Sequence, residues 1–135
     1  MLLSIAIIVL LSAMSAPVLE SLIHRNDVAV AQQAAVNGMR RAEQLARSSA
    51  SNQSWGVYVQ AGRITVFQGA SYASRDTAFD EEFIFASSIA VTGMQEVVFS
   101  KFSGTPSTTG TLTFTARDNG VKTVTVNAVG MIGYE

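Results

Sequence analysis

The first nineteen residues carry no charge, and this feature constrains the chain more than any other. The run reads MLLSIAIIVLLSAMSAPVL, and Glu20 is the first charged residue. Nineteen helical residues span roughly 28 Å, close to the hydrocarbon thickness of a bilayer. A cleaved signal peptide fits less well, because no basic segment precedes the apolar run and Ser15-Ala16-Pro17 is a poor cleavage site. The segment therefore predicts a helix of membrane-spanning length.

A second helical pattern follows it. Apolar residues recur three and four positions apart and form one stripe: Val28, Ala31, Ala35, Met39, Ala42 and Ala46. The opposite face is expected to be polar and carries Arg25, Gln32, Gln33, Arg40, Glu43 and Arg47. Such a pattern is typical of an amphipathic helix with one face packed on another element. Together with the apolar run it predicts a single helix of about 50 residues, ending in a loop over 48–54.

From Trp55 onward the hydrophobic period changes to two, which predicts strands. We expect strands at 55–60 and 63–67 in a tight hairpin, a long polar loop over 69–82, and short strands at 82–86 and 96–102. Strands at 111–117 and 121–129 flank a predicted turn, Asp118-Asn119-Gly120, in which Gly120 is expected to take a positive φ. Apolar residues alternate with threonines on these last strands, so the sheet has one apolar and one solvated face.

These patterns predict an α+β fold in which a long N-terminal α-helix, with an apolar half and an amphipathic half, packs on an antiparallel β-sheet. Three regions follow from the boundaries. Residues 1–27 form a hydrophobic helix segment for a membrane or a filament core, with a break at Pro17. Residues 28–54 form the amphipathic helix and a linker, and residues 55–135 form a β-rich globular domain.

This organisation resembles that of type IV pilins and the related pseudopilins. The stretch MLLSIAII, from Met1 to Ile8, matches the residues that follow the glutamate near the mature N-terminus of that family, and Pro17 falls at the family's helix proline. The β half, from Trp55 to the closing TVNAVGMIG, is similar to the globular domain of minor pseudopilins of type II secretion. The family's leader, cleavage-site glycine and glutamate are not in the sequence, so we expect the chain to begin a few residues inside the mature protein.

The resemblance implies a structural subunit of an extracellular, type IV pilus-like filament. Such a subunit is held in the inner membrane before assembly and binds the assembly machinery there. It then becomes part of a helical homo-oligomer, a filament on the cell surface. The side chains implied in the filament core are Met1, Leu2, Leu3, Ile5, Ile7, Ile8, Leu10, Leu11 and Met14. The alternatives are a minor pseudopilin of a type II secretion pseudopilus and a minor pilin for DNA uptake.

Pro17 is expected to interrupt the helix in the assembled state. A proline inside a helix removes one amide donor and clashes with the carbonyl four residues earlier, here that of Ala13. Unwinding the neighbouring turns would relieve the clash. The predicted interruption comprises Ala13, Met14, Ser15, Ala16, Pro17, Val18, Leu19 and Glu20.

The composition disfavours an enzyme, and none is predicted. The chain has no cysteine, and His24 is its single histidine, so thiol chemistry and multi-histidine metal sites are excluded. A formal net charge of −1 argues against a specific nucleic-acid partner. We interpret the arginines at 40, 41 and 47 as partners for acidic residues of a neighbouring subunit. No cofactor is predicted; the alternative is calcium, bound by the acidic residues Asp76, Asp80, Glu81 and Glu82, although these lack the alternating spacing of a calcium loop.

Overall fold

The computed structural model describes residues 2–135, and for residues 2 and 14–21 it describes the backbone alone. Over this range one long helix precedes a short 3₁₀ turn (Ala50–Asn52) and eight strands. The helix is α1 (Leu2–Arg47). The strands are β1 (Trp55–Gln60), β2 (Arg63–Gln68), β3 (Asp76–Ile84), β4 (Ala90–Gly93), β5 (Glu96–Phe99), β6 (Gly110–Thr115), β7 (Val121–Val126) and β8 (Ile132–Tyr134). The predicted α+β class is confirmed.

The strands form two four-stranded sheets where the sequence predicted one. The first sheet has the order β3-β2-β1-β5 and the second has the order β4-β6-β7-β8, and all of the paired strands are antiparallel. Both sheets pack on the same helix, and the shared core lies between them and α1. Two sheets arise because β4 pairs with β6 while β5, which follows it in the chain, pairs back with β1.

The apolar stripe of the amphipathic half packs as predicted. All six stripe residues, from Val28 to Ala46, are buried. Their small side chains let the helix approach the first sheet closely. At Gly38 even an added Cβ would lie 3.3 Å from Ile64 Cγ2, which is a tight contact. One residue assigned to the polar face was placed wrongly: Gln32 is buried, because its amide reaches backbone carbonyls of the second sheet.

The β1–β2 hairpin is confirmed in its position and its short link. The polar loop expected over 69–82 is wrong, because β3 begins at Asp76 and pairs with β2. The first four residues of β3 are all exposed at the edge of the sheet. The sequence of this strand therefore lacks the apolar alternation that marks a half-buried strand. The expected strand at 82–86 is the end of β3, and β5 ends at Phe99. The short strands β4 and β8 were missed.

β6 and β7 are joined through Asp118-Asn119-Gly120, but the loop is displaced by one residue from the predicted turn, and Gly120 does not take the expected positive φ. Asn119 holds that conformation, with φ 63°. Ala116 N donates to the carbonyl of Gly120 at 2.8 Å, and Asn119 N donates to the carbonyl of Ala116 at 3.0 Å. The loop therefore contains three residues, 117–119, and in such loops the third residue is the left-handed one. Asparagine tolerates this conformation better than most residues do.

Candidate assembly surface

The N-terminal part of α1 presents an apolar surface that no other described side chain covers. Seven large apolar side chains between residues 3 and 11 are 52–79% exposed. They are Leu3, Ile5, Ile7, Ile8, Val9, Leu10 and Leu11, and we call this set the apolar rod. Successive residues of a helix are rotated by about 100°, so these seven positions surround the helix axis on every side. A helix that is apolar all round is ordinarily buried in a membrane or inside a large protein core.

Some of the residues predicted for the filament core are members of the apolar rod. Six of them, Leu3, Ile5, Ile7, Ile8, Leu10 and Leu11, belong to the apolar rod. Val9 belongs to it as well, although the sequence prediction omitted it. Met1 lies outside the described residues, as do the side chains of Leu2 and Met14. Of the interruption predicted at 13–20, only Ala13 has a described side chain, and it is exposed. That interruption concerns assembled subunits and stays a prediction.

Two further exposed apolar residues lie nearer to the globular domain. Leu22 and Ile23 are 58% and 55% exposed, and His24 is half-buried. Among the helix residues whose side chains are described, Val28 is the first that is fully buried. The change from exposed to buried apolar residues thus falls between Ile23 and Val28.

Two arginines of α1 form ion pairs within the chain. Arg41 donates from Nε and Nη2 to the two carboxylate oxygens of Glu81 on β3, at 3.1 and 3.0 Å. This hydrogen bonding, followed by the charge of Glu81, raises the pKa of Arg41 above its ordinary value. Arg47 pairs with Glu43 one turn earlier, at 2.7 Å. The sequence had assigned these arginines to a neighbouring subunit, and the structure instead gives two of the three a partner in their own chain.

The remaining arginine of that group lies in an open cleft. Arg40, Glu43 and Arg47 line one side of it, and residues 129–132 line the other. The cleft has a volume of about 320 Å³. It brings together two guanidinium groups and one carboxylate, and it holds no nucleophile with an oriented base. Nothing in this arrangement resembles a catalytic centre.

Three of the four acidic residues considered for calcium accept hydrogen bonds from arginines. Asp80 accepts from Arg75 at 2.9 Å, Glu81 from Arg41, and Glu82 from Arg63 at 3.0 Å. Among the residues whose side chains are described, no three acidic, histidine or cysteine side chains are grouped so as to hold a metal ion. A calcium ion there would have to displace arginines from their partners. These three carboxylates thus take part in ion pairs, of which the one between Asp80 and Arg75 is partly buried.

An aromatic stack on the outer face of the first sheet was missed by the sequence analysis. Tyr72, in the loop after β2, stacks on Tyr58 with ring centroids 4.1 Å apart and meets the edge of Phe67 at 5.7 Å. The Arg75 guanidinium lies 3.9 Å above the Tyr72 ring. The hydrogen bond to Asp80 raises the pKa of Arg75 above its ordinary value. The stack seals Phe67 from water on the face that the helix does not cover.

No protein-family model, curated protein or solved structure matches the chain. In the described part of the chain, no helix is long and apolar enough to cross a membrane.

Proposed function

We propose that this protein is a structural subunit of an extracellular, type IV pilus-like filament and that copies assemble through their N-terminal helices. The observation that carries the proposal is the apolar rod. It is apolar on every side and exposed, and it extends from a domain whose own core is complete. Before assembly the rod lies in the inner membrane, and in the filament the rods of other copies replace the lipid.

The free energy available from covering the rod supports the proposal that the rod is permanently bound, either by lipid or by other copies. Burying one leucine or isoleucine side chain contributes about 1.5–3 kcal/mol. Covering the seven residues of the rod would therefore contribute on the order of 10–20 kcal/mol relative to water. Because lipid and a bundle of apolar helices are similarly apolar, transfer between them is nearly balanced. A subunit can then leave the membrane for the filament without a large change in free energy.

The test is a charge placed in the rod. Ile7→Glu puts a carboxylate at a position that the filament core would bury, where an unpaired charge is very costly. We expect the full chain to form filaments visible by negative-stain electron microscopy and the variant to form none.

The matched control is Val121→Glu, at an apolar residue on β7 that is equally exposed. Val121 is 54% exposed and Ile7 is 52% exposed. The control should assemble like the unchanged chain. Filaments formed by Ile7→Glu as readily as by Val121→Glu would overturn the proposal.

A further inference from the structure

The chain contains two Asn-Gly pairs in very different surroundings: Asn37-Gly38 in α1 and Asn119-Gly120 at the β6–β7 loop. Asn-Gly is the dipeptide most prone to spontaneous deamidation, because glycine has no Cβ to hinder attack by its backbone nitrogen. That nitrogen bonds to the Cγ of the asparagine, the Cγ–Nδ2 bond breaks, and ammonia leaves with the proton from the backbone nitrogen. Water then opens the resulting succinimide to aspartate or isoaspartate.

Asn37-Gly38 is held in a conformation that opposes this reaction. Both residues lie inside α1, where the backbone nitrogen of residue 38 is committed to the helical hydrogen-bond ladder. Gly38 is also buried against Ile64 and Val66, so its backbone cannot rotate toward the asparagine side chain without disturbing the core. The Asn37 side chain in addition accepts a hydrogen bond from Gln33 Nε2 at 3.0 Å.

Asn119-Gly120 has none of these restraints. Asn119 is exposed at the tip of a three-residue loop, already in the left-handed region at φ 63°. The Gly120 nitrogen donates only to Asp118 Oδ1, at 3.1 Å, an exposed side-chain contact that can open without moving a strand. Loop tips open locally at a small fraction of the free energy of global unfolding. Backbone hydrogen bonds to Ala116 still hold Asn119 and Gly120, but they lie at the loop, so local opening is enough for the nucleophile to reach its target.

We propose that Asn119 is a site of spontaneous deamidation in the folded protein and that Asn37, in the same dipeptide, is protected by the fold. The product adds a carboxylate beside Asp118. The isoaspartate form also inserts a methylene into the backbone of the loop that pairs β6 with β7. The proposal is independent of filament assembly, since it concerns the chemistry of one loop.

The test compares the two sites in one sample. The full chain is incubated folded at mildly alkaline pH, and peptide mass mapping then measures the deamidated fraction at each asparagine over time. We expect conversion at Asn119 to exceed that at Asn37 by about tenfold or more, because local opening exposes only the loop. In guanidinium chloride, which removes the helix, the two rates should become similar.

Asn127 serves as an internal control. It is exposed too, but alanine follows it and its Oδ1 accepts from the backbone nitrogens of Val129 and Met131 at 3.1 and 2.8 Å. It should stay unmodified. Equal rates at Asn119 and Asn37 in the folded chain would overturn the proposal, and so would an intact Asn119 in a sample where unfolding makes both sites react.

Discussion

The buried side chain of Gln32 links α1 to β7 and to Glu135, the residue that follows β8. Its Nε2 donates to the carbonyls of Thr123 and Glu135, at 2.9 and 2.7 Å. The orientation of the amide is determined by its partners, because both are acceptors and only the nitrogen can donate to them. Thr123 and Glu135 also exchange two backbone hydrogen bonds. The Gln32 side chain therefore fixes the end of the β7–β8 pair to the helix. The residue is polar and buried, and its hydrogen bonds are what make that burial possible.

Gln32→Ala should therefore destabilise the domain. The loss of two hydrogen bonds at a buried site is expected to lower the free energy of unfolding by about 1–2 kcal/mol. Gln33→Ala is the matched control, since Gln33 is exposed and bonds only to the neighbouring Asn37 side chain. Urea denaturation measures both variants, and amide exchange at Glu135 should quicken only in the first. Equal stabilities of the two variants would contradict the role assigned to Gln32.

Within the first sheet, β1 and β2 meet through a glycine and an aromatic ring. Phe67 is fully buried, and its ring covers Gly56 on the face of the sheet away from the helix. A Cβ at Gly56 would lie 2.5 Å from Phe67 Cζ and 2.9 Å from the carbonyl oxygen of Val97. Glycine is required here by the close approach of a side chain and a neighbouring strand. Tyr72 then closes the ring from the other side.

Gly56→Ala should displace that ring. Overpacking of this kind costs about 1–3 kcal/mol, because the ring and the β5 backbone must both move. Gly133→Ala on β8 is the control, since no atom lies within 4 Å of its added Cβ. Thermal melts compare the two, and a lowered melting temperature is expected for Gly56→Ala alone. If both variants have the melting temperature of the unchanged chain, Phe67 does not pack closely on Gly56 in solution.

At the scale of the molecule, two parts of one helix differ in their burial. Residues 28–46 supply the apolar stripe that completes the core beneath both sheets. Residues 3–11 supply the apolar rod, which contributes nothing to that core. The residues that complete the core and the exposed apolar residues proposed for assembly therefore lie in different parts of the same helix.

A chain that starts at Asp27 should consequently fold and stay monomeric. It keeps the stripe and both sheets and loses the rod together with Leu22 and Ile23. Sedimentation velocity should give a single monomeric species, and circular dichroism should show a cooperative thermal transition. Aggregation of this shortened chain would indicate that the sheets lack sufficient cover, and filaments formed by it would place the assembly surface elsewhere.

The sequence by itself determined the features that depend on local periodicity. The spacing from Val28 to Ala46 defined the buried stripe, the alternation from Trp55 defined the first hairpin, and the absence of charge before Glu20 marked the exposed rod. Each of these signals lies within one element, because a side chain's position in its own helix or strand follows from the repeat of that element.

The tertiary structure alone decided which elements meet. The division into two sheets depends on β5 returning to β1 across more than thirty residues, and no local pattern encodes that pairing. The strand at Asp76–Ile84 was hidden because an exposed edge needs no apolar face. The burial of Gln32 and the pairing of Arg41 with Glu81 depend likewise on partners distant in sequence. Such contacts form only when the chain has brought their elements together, so the sequence of one element does not contain them.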